Sequence, residues 1–87
     1  ALQFGLINRV VALSALDEET ASLATRLVAA PAVAIGNTKR LLAHSPGRDL
    51  DEQLAAEGDS FVECAAQPDF EEGLNAFLEK RPAKFNH

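Results

Sequence analysis

The 87-residue sequence predicts an all-α fold, about four helices after a short extended N-terminal segment. Three observations carry this prediction. Gly5, Pro31, Ser45-Pro46-Gly47, Pro68 and Pro82 cut the chain into segments of helix length. Within those segments, apolar residues recur at the three- and four-residue spacing of a helix face. Acids gather at segment starts and bases at or near segment ends, as the helix dipole favours.

The opening, Ala1 to Val11, is apolar apart from Gln3, Asn8 and Arg9, with a break at Gly5. Glycine is the usual residue just past a helix end, where the backbone turns left-handed. The branched side chains of Val10 and Val11 then favour an extended path through Leu13. The lead therefore reads as a helix tail, Gly5 and a short strand or extended segment. Its backbone groups would need partners from elsewhere.

Asp17 has the side chain of an N-cap, so the first complete helix is placed from there. Leu16, Leu23, Ala24, Leu27 and Val28 make one face of it. Pro31 would break a helix in its middle but is tolerated at a first position. A break is therefore expected at Ala30, and a second helix from Pro31 to about His44. Ser45-Pro46-Gly47 ends it as a turn. Asp49 and Glu52 have capping-box spacing, which starts a third helix running from about Leu50 to Ala66. Its expected buried stripe is Leu50, Leu54, Phe61, Cys64 and Ala65. Gly58 lies within that stripe, costs about 1 kcal/mol against alanine, and would admit a close backbone contact. Asp69 and Glu72 repeat the box spacing behind Pro68. The fourth helix carries Phe70, Leu74, Phe77 and Leu78 on one side and ends in Glu79-Lys80-Arg81.

Composition bounds what such a chain does. A chain of this length buries only roughly 60–65% of its unfolded surface, yet 47% of its residues are hydrophobic. An apolar face should be left for something outside the chain. The net charge of −5, from 13 acids against 8 bases, argues against a general nucleic-acid binder. One cysteine, Cys64, forms no internal disulfide and suggests no zinc site. No apolar run approaches the roughly 18–20 residues of a membrane span. No signal peptide is read at the start, so a cytoplasmic location is the expectation. The absence of methionine suggests a piece of something longer.

Chemistry is hard to find in these residues. The carboxylates sit mostly at helix starts, where caps and solvent explain them. Cys64 lies on an apolar stripe with no base assigned beside it. His44 ends a helix, and His87 ends the chain. The two histidines and the cysteine lack metal-ligand spacing, and no phosphate-cradling glycine loop occurs. The basic cluster Lys80, Arg81 and Lys84 stands out more. It suits the dipole at a helix end, and it also suits an anion such as a phosphate. Phe61 offers a flat apolar face.

One stretch is specific. Asp69-Phe70-Glu71-Glu72-Gly73-Leu74-Asn75-Ala76-Phe77-Leu78-Glu79-Lys80-Arg81 resembles the D-F-x-E-G-x-x-A-F-x-E-K-R ending of crotonase-family (enoyl-CoA hydratase/isomerase) proteins. Gly5-Leu6-Ile7-Asn8-Arg9-Val10-Val11 resembles that family's G-L-V-N-x-V-V segment. Leu23-Ala24, Pro31, Ala34 and Lys39 resemble its helix pair, and Glu57 with Phe61 its E-x-x-x-F stretch. The resemblance covers essentially the whole chain and loosens only from Ala83 to His87.

The resemblance implies that residues 1–87 are the C-terminal helical domain of a crotonase-like subunit, concerned with oligomerisation and CoA contact. Such enzymes stabilise an enolate-like anion with two backbone N–H groups. Those groups and the hydratase glutamates belong to the family's N-terminal spiral domain, which is absent from this sequence, so no catalytic residue is assigned. The implied ligand is an acyl-CoA thioester, the substrate of the parent enzyme, with no tightly bound cofactor. The implied assembly is a trimer or a dimer of trimers, with no nucleic acid and no membrane. Phe61 matches an aromatic near the adenine end of the ligand, and Lys80 a lysine that meets the nucleotide phosphates. Lys84 is a weaker candidate. Two other readings of the residues stand beside this one: a stand-alone helical interaction module without ligand, and a small autonomous enzyme.

Overall fold

The computed structural model describes residues 1–86. Residues 2–5 form a turn rather than a helix tail, closed by Gly5 N–H to Leu2 O at 3.2 Å and Leu6 N–H to Ala1 O at 3.2 Å. Gly5 has φ 75, the left-handed conformation expected of it. No strand occurs among the described residues. A single 3-10 turn, Leu13–Ala15, leads into α1, Leu16–Ala29.

That turn corrects the expected cap. Ala15, not Asp17, is the N-cap of α1, and no side chain caps it. The 3-10 turn already occupies the first donors, because Ala15 N–H bonds Ala12 O and Leu16 N–H bonds Leu13 O. Asp17 falls inside the first turn with Glu18 and Glu19, where negative charge still suits the dipole.

Ala30 is extended at ψ 156, as the residue before a proline prefers. Pro31 is then the N-cap of α2, Ala32–His44. A 3-10 turn, Ser45–Gly47, separates α2 from α3, Leu50–Ala65. The capping box forms at α3 as read: Glu52 N–H donates to Asp49 at 2.8 Å, and Asp49 N–H to Glu52 at 3.3 Å. Asp49→Ala is expected to cost about 1 kcal/mol. Thermal unfolding followed by circular dichroism checks this, and an unchanged midpoint would show the box to be idle.

α4, Pro68–Glu79, begins differently. Pro68 takes the first position, Gln67 is the N-cap, and no side chain caps the helix. Asp69 thus falls inside the first turn, and the Asp69 and Glu72 carboxylates accept bonds from residues 81–86 instead.

Packing is strongest between α2 and α3, and between α3 and α4. Almost nothing is enclosed. Among the described residues only Ala76, at 3% exposure, and Asn37, at 4%, are buried. The radius of gyration is 16.5 Å, against about 12 Å for a compact domain of this length. The accessible surface is 7216 Å², against about 5,000 Å² for a folded monomer of this mass.

The stripes read as buried are therefore corrected. Leu50 is 72% exposed, Leu54 57% and Phe61 64%; only Cys64 and Ala65 are half-buried. On α1, Leu16, Leu23, Leu27 and Val28 are all exposed. On α4 the same holds for Phe70, Leu74, Phe77 and Leu78. Periodicity marked these faces correctly, but the chain does not supply their cover. Gly58 meets nothing within 4 Å of a Cβ, so no close backbone contact uses it.

Candidate functional site

α4 presents an apolar side and a basic end. Its last turn closes on Lys80, which takes the left-handed conformation at φ 55, ψ 45. Lys80 N–H bonds Phe77 O at 3.3 Å and Arg81 N–H bonds Ala76 O at 3.0 Å, a Schellman-type closure. Glycine usually holds that position; a left-handed conformation costs an L-residue about 1 kcal/mol. The two closing bonds help to offset that cost.

The three bases of the end are not equivalent. Arg81 is committed: Nη1 and Nη2 donate to Glu72 at 2.7 and 3.0 Å, and Nε to Glu79 at 2.5 Å. The hydrogen bonds to Glu72 first, and to Glu79 next, hold the guanidinium above its ordinary value. Lys84 gives its backbone N–H to Glu72 at 2.8 Å. No ion pair takes the Lys80 ammonium among the described residues. Of the cluster read from the sequence, Arg81 is structural and Lys80 is left to solvent.

Phe61 lies on α3. Its ring meets Phe70 of α4 edge-to-face, with centroids 6.3 Å apart at 84°. The residue remains 64% exposed, so most of it is open to a further flat partner. No hydrogen bond, ion pair or ring contact joins Phe61 to Lys80 among the described residues.

Two clefts lie elsewhere. One, of about 320 Å³, separates α2 from α3 and sets Arg40, His44 and Arg48 against Asp59 and Glu63. Asn37 sits at its inner side, donating to Glu63 at 3.2 Å and to Cys64 Sγ at 3.8 Å, while Arg40 donates to its Oδ1. Sequence reasoning missed Asn37. The available signal was a polar residue in the helical stripe Val33, Ala34, Asn37, Leu41. The second cleft, of about 150 Å³, is apolar and lined by residues including Cys64, Phe70, Gly73 and Phe85. Asp69 also lines this cleft, but its carboxylate accepts from Asn86 N–H and no hydrogen bond joins it to Cys64 among the described residues, so the thiol gains no nucleophilic arrangement. Among the described residues no cluster of three or more histidine, cysteine or acidic side chains could hold a metal ion. Nor, among the described residues, is any helix long and apolar enough to cross a membrane.

Among the described residues, four short helices with open apolar faces, the last closed by a lysine that no ion pair takes, define a helical unit with little core of its own. The chain belongs to the enoyl-CoA hydratase/isomerase family, whose model matches residues 1–87. It is 35% identical over 85 residues to a crotonyl-CoA hydratase of Syntrophomonas wolfei, covering 98% of this chain and 33% of that protein. It is 35% identical over 81 residues to a short-chain-enoyl-CoA hydratase of Clostridium acetobutylicum, covering 93% and 31%. Among solved structures it is similar to an enoyl-CoA hydratase subunit from Geobacillus kaustophilus, at 38% identity and a TM-score of 0.90, covering 99% of this chain and 34% of that one. An enoyl-CoA hydratase from a Polaromonas species matches at 30% identity and a TM-score of 0.92, covering 98% and 33%. The chain thus spans about a third of the length of the relatives it matches.

Proposed function

We propose that this chain is the C-terminal helical part of an enoyl-CoA hydratase or isomerase subunit, joining subunits and contributing to acyl-CoA binding without catalysing alone. The observation that carries the assembly role is exposure. Leu13, Phe4, Phe77 and Val28 are 86, 83, 80 and 78% exposed on a chain that buries almost nothing. Its surface exceeds that of a compact monomer by roughly 2,200 Å², the area of a substantial interface. Unpartnered apolar surface on this scale favours association. A homotrimer or a dimer of trimers is the assembly the family resemblance implies.

The ligand role rests on two side chains and on the names of the relatives, which are hydratases of CoA thioesters. Phe61 supplies a ring for the adenine, and Lys80 an ammonium for the nucleotide phosphates. Lys84 lies close in sequence as a weaker second cation. The thioester itself and its chemistry fall to other residues of the subunit.

An NMR amide titration of the 87-residue chain with coenzyme A tests this. Shifts centred on Phe61 and Lys80, reduced severalfold in affinity by Lys80→Ala, are expected. A dispersed spectrum with no shift at either residue would remove the ligand role and leave a helical assembly module.

A further inference from the structure

After Lys80 the chain reverses and runs back along α4 toward its N-terminus. Each step of the return is tied down. Arg81 forks onto Glu72 at 2.7 and 3.0 Å, and Lys84 N–H adds a bond to the same carboxylate at 2.8 Å. Phe85 lies over Gly73, its Cε1 3.5 Å from where a Cβ would stand. Asn86 N–H donates to Asp69 at 2.9 Å.

Asn86 then leaves α4 and clasps the α1–α2 junction. Its amide nitrogen donates to Val28 O at 3.1 Å and Ala30 O at 2.6 Å, and its Oδ1 accepts from Ala32 N–H at 2.9 Å. These are groups that a helix end leaves without partners of its own. One side chain, more than fifty residues away in sequence, serves the end of α1 and the start of α2 together. The strap lies between two left-handed residues, Lys80 at φ 55 and Asn86 at φ 64, the only non-glycine residues with positive φ among those described. Asparagine tolerates this conformation; for lysine it carries a cost, which surrounding structure offsets.

We infer that residues 81–86 form a strap with Asn86 as its clasp, and that Asn86 and Glu72 are positioning residues that set the place of Lys80. A lysine on a frayed helix end would have to be ordered when a phosphate binds, at an entropic cost. The strap fixes the backbone that carries Lys80 beforehand, which lowers that cost. The consequence for the ligand rests on the coenzyme A reading of Lys80; the strap itself does not.

Amide hydrogen exchange and a coenzyme A titration, both by NMR on the 87-residue chain, test the two parts separately. Asn86→Ala is expected to speed exchange at Ala32 by about tenfold, the equivalent of one hydrogen bond, and to shift the Lys80 and Lys84 amides. Asn86→Asp replaces the donor to Val28 and Ala30 with a carboxylate oxygen that those carbonyls repel, so the end of α1 is expected to fray and Ala32 to exchange faster with it. In a double-mutant cycle, Asn86→Ala should weaken the nucleotide severalfold in the original chain and not in Lys80→Ala. A strap of purely structural effect would weaken both backgrounds equally, which would overturn the positioning role. Unchanged exchange at Ala32 with an unmoved Lys80 amide would overturn the strap. Movement of Lys80 in a chain that binds no coenzyme A would uphold the strap and sink only the ligand reading. Should Asn86→Ala collapse the spectrum, Asn86→Asp decides: exchange kept slow at both Ala32 and the end of α1 overturns the clasp.

Discussion

The 87-residue chain is expected to sediment as an assembled species at high micromolar concentration, and Phe77→Lys with Leu78→Lys to return it toward monomer. Both residues lie on α4 and are exposed, at 80 and 67%. Neither holds the chain's own fold, so helicity by circular dichroism should stay level. Lysines near the end of α4 also suit its dipole. Full burial of a side chain of this size is worth about 1.5–3 kcal/mol. Losing two from an interface therefore costs at least about 3 kcal/mol, roughly a hundredfold in affinity. Analytical ultracentrifugation reads the outcome. A chain that stays monomeric at the highest concentration would end the assembly reading. A double variant that associates as well as the original would place the contact on another face.

The same exposure explains why the sequence was a good guide to elements and a poor one to burial. Pro31, Pro46-Gly47 and Pro68 act through local backbone chemistry, so the breaks between helices fell close to where they were read. The box of Asp49 and Glu52 closes within four residues and was equally legible. The repeat of that spacing at Asp69 and Glu72 was not, because a distant competitor takes both carboxylates. Asn86 N–H takes Asp69; Arg81 and Lys84 take Glu72. No local pattern reports partners nine to seventeen residues away. The Asp17 cap failed for a nearer reason, the 3-10 turn that fills the first donors.

The stripes raise a different problem. Helical spacing shows that a face is apolar, but not whether its cover lies in the same chain. Phe61 is expected both in a buried stripe and at a ligand, and its exposure corrects only the first. Lys80 was named from its resemblance to a family ending. Its left-handed backbone could not be read, since lysine carries no preference for it. Asn86 was hidden more deeply. Asparagine tolerates a positive φ and bonds backbone readily, but nothing in a short tail identifies the two helix ends it reaches.

Phe85→Ala and Gly73→Ala are expected to move stability in opposite directions, although the two residues touch. Phe85 is half-buried in the apolar cleft, and its loss would enlarge a space that is already about 150 Å³. A fully buried phenylalanine costs about 3–5 kcal/mol on truncation. Half-burial reduces that to about 2 kcal/mol, a fall in Tm of about 10 °C for a chain of this size. Gly73 lies inside α4, and a Cβ there would meet Phe85 at 3.5 Å, an ordinary van der Waals contact. Replacing it by alanine removes backbone freedom from the unfolded chain and adds helix propensity worth about 1 kcal/mol. The ring therefore rests on the glycine without requiring it. Thermal unfolding by circular dichroism distinguishes the cases. If Phe85→Ala melts with the original chain, the ring adds nothing to stability and the tail is held by its hydrogen bonds alone. If Gly73→Ala melts lower, the ring sits closer to α4 than an ordinary contact allows, and the glycine is a fitted part of the strap.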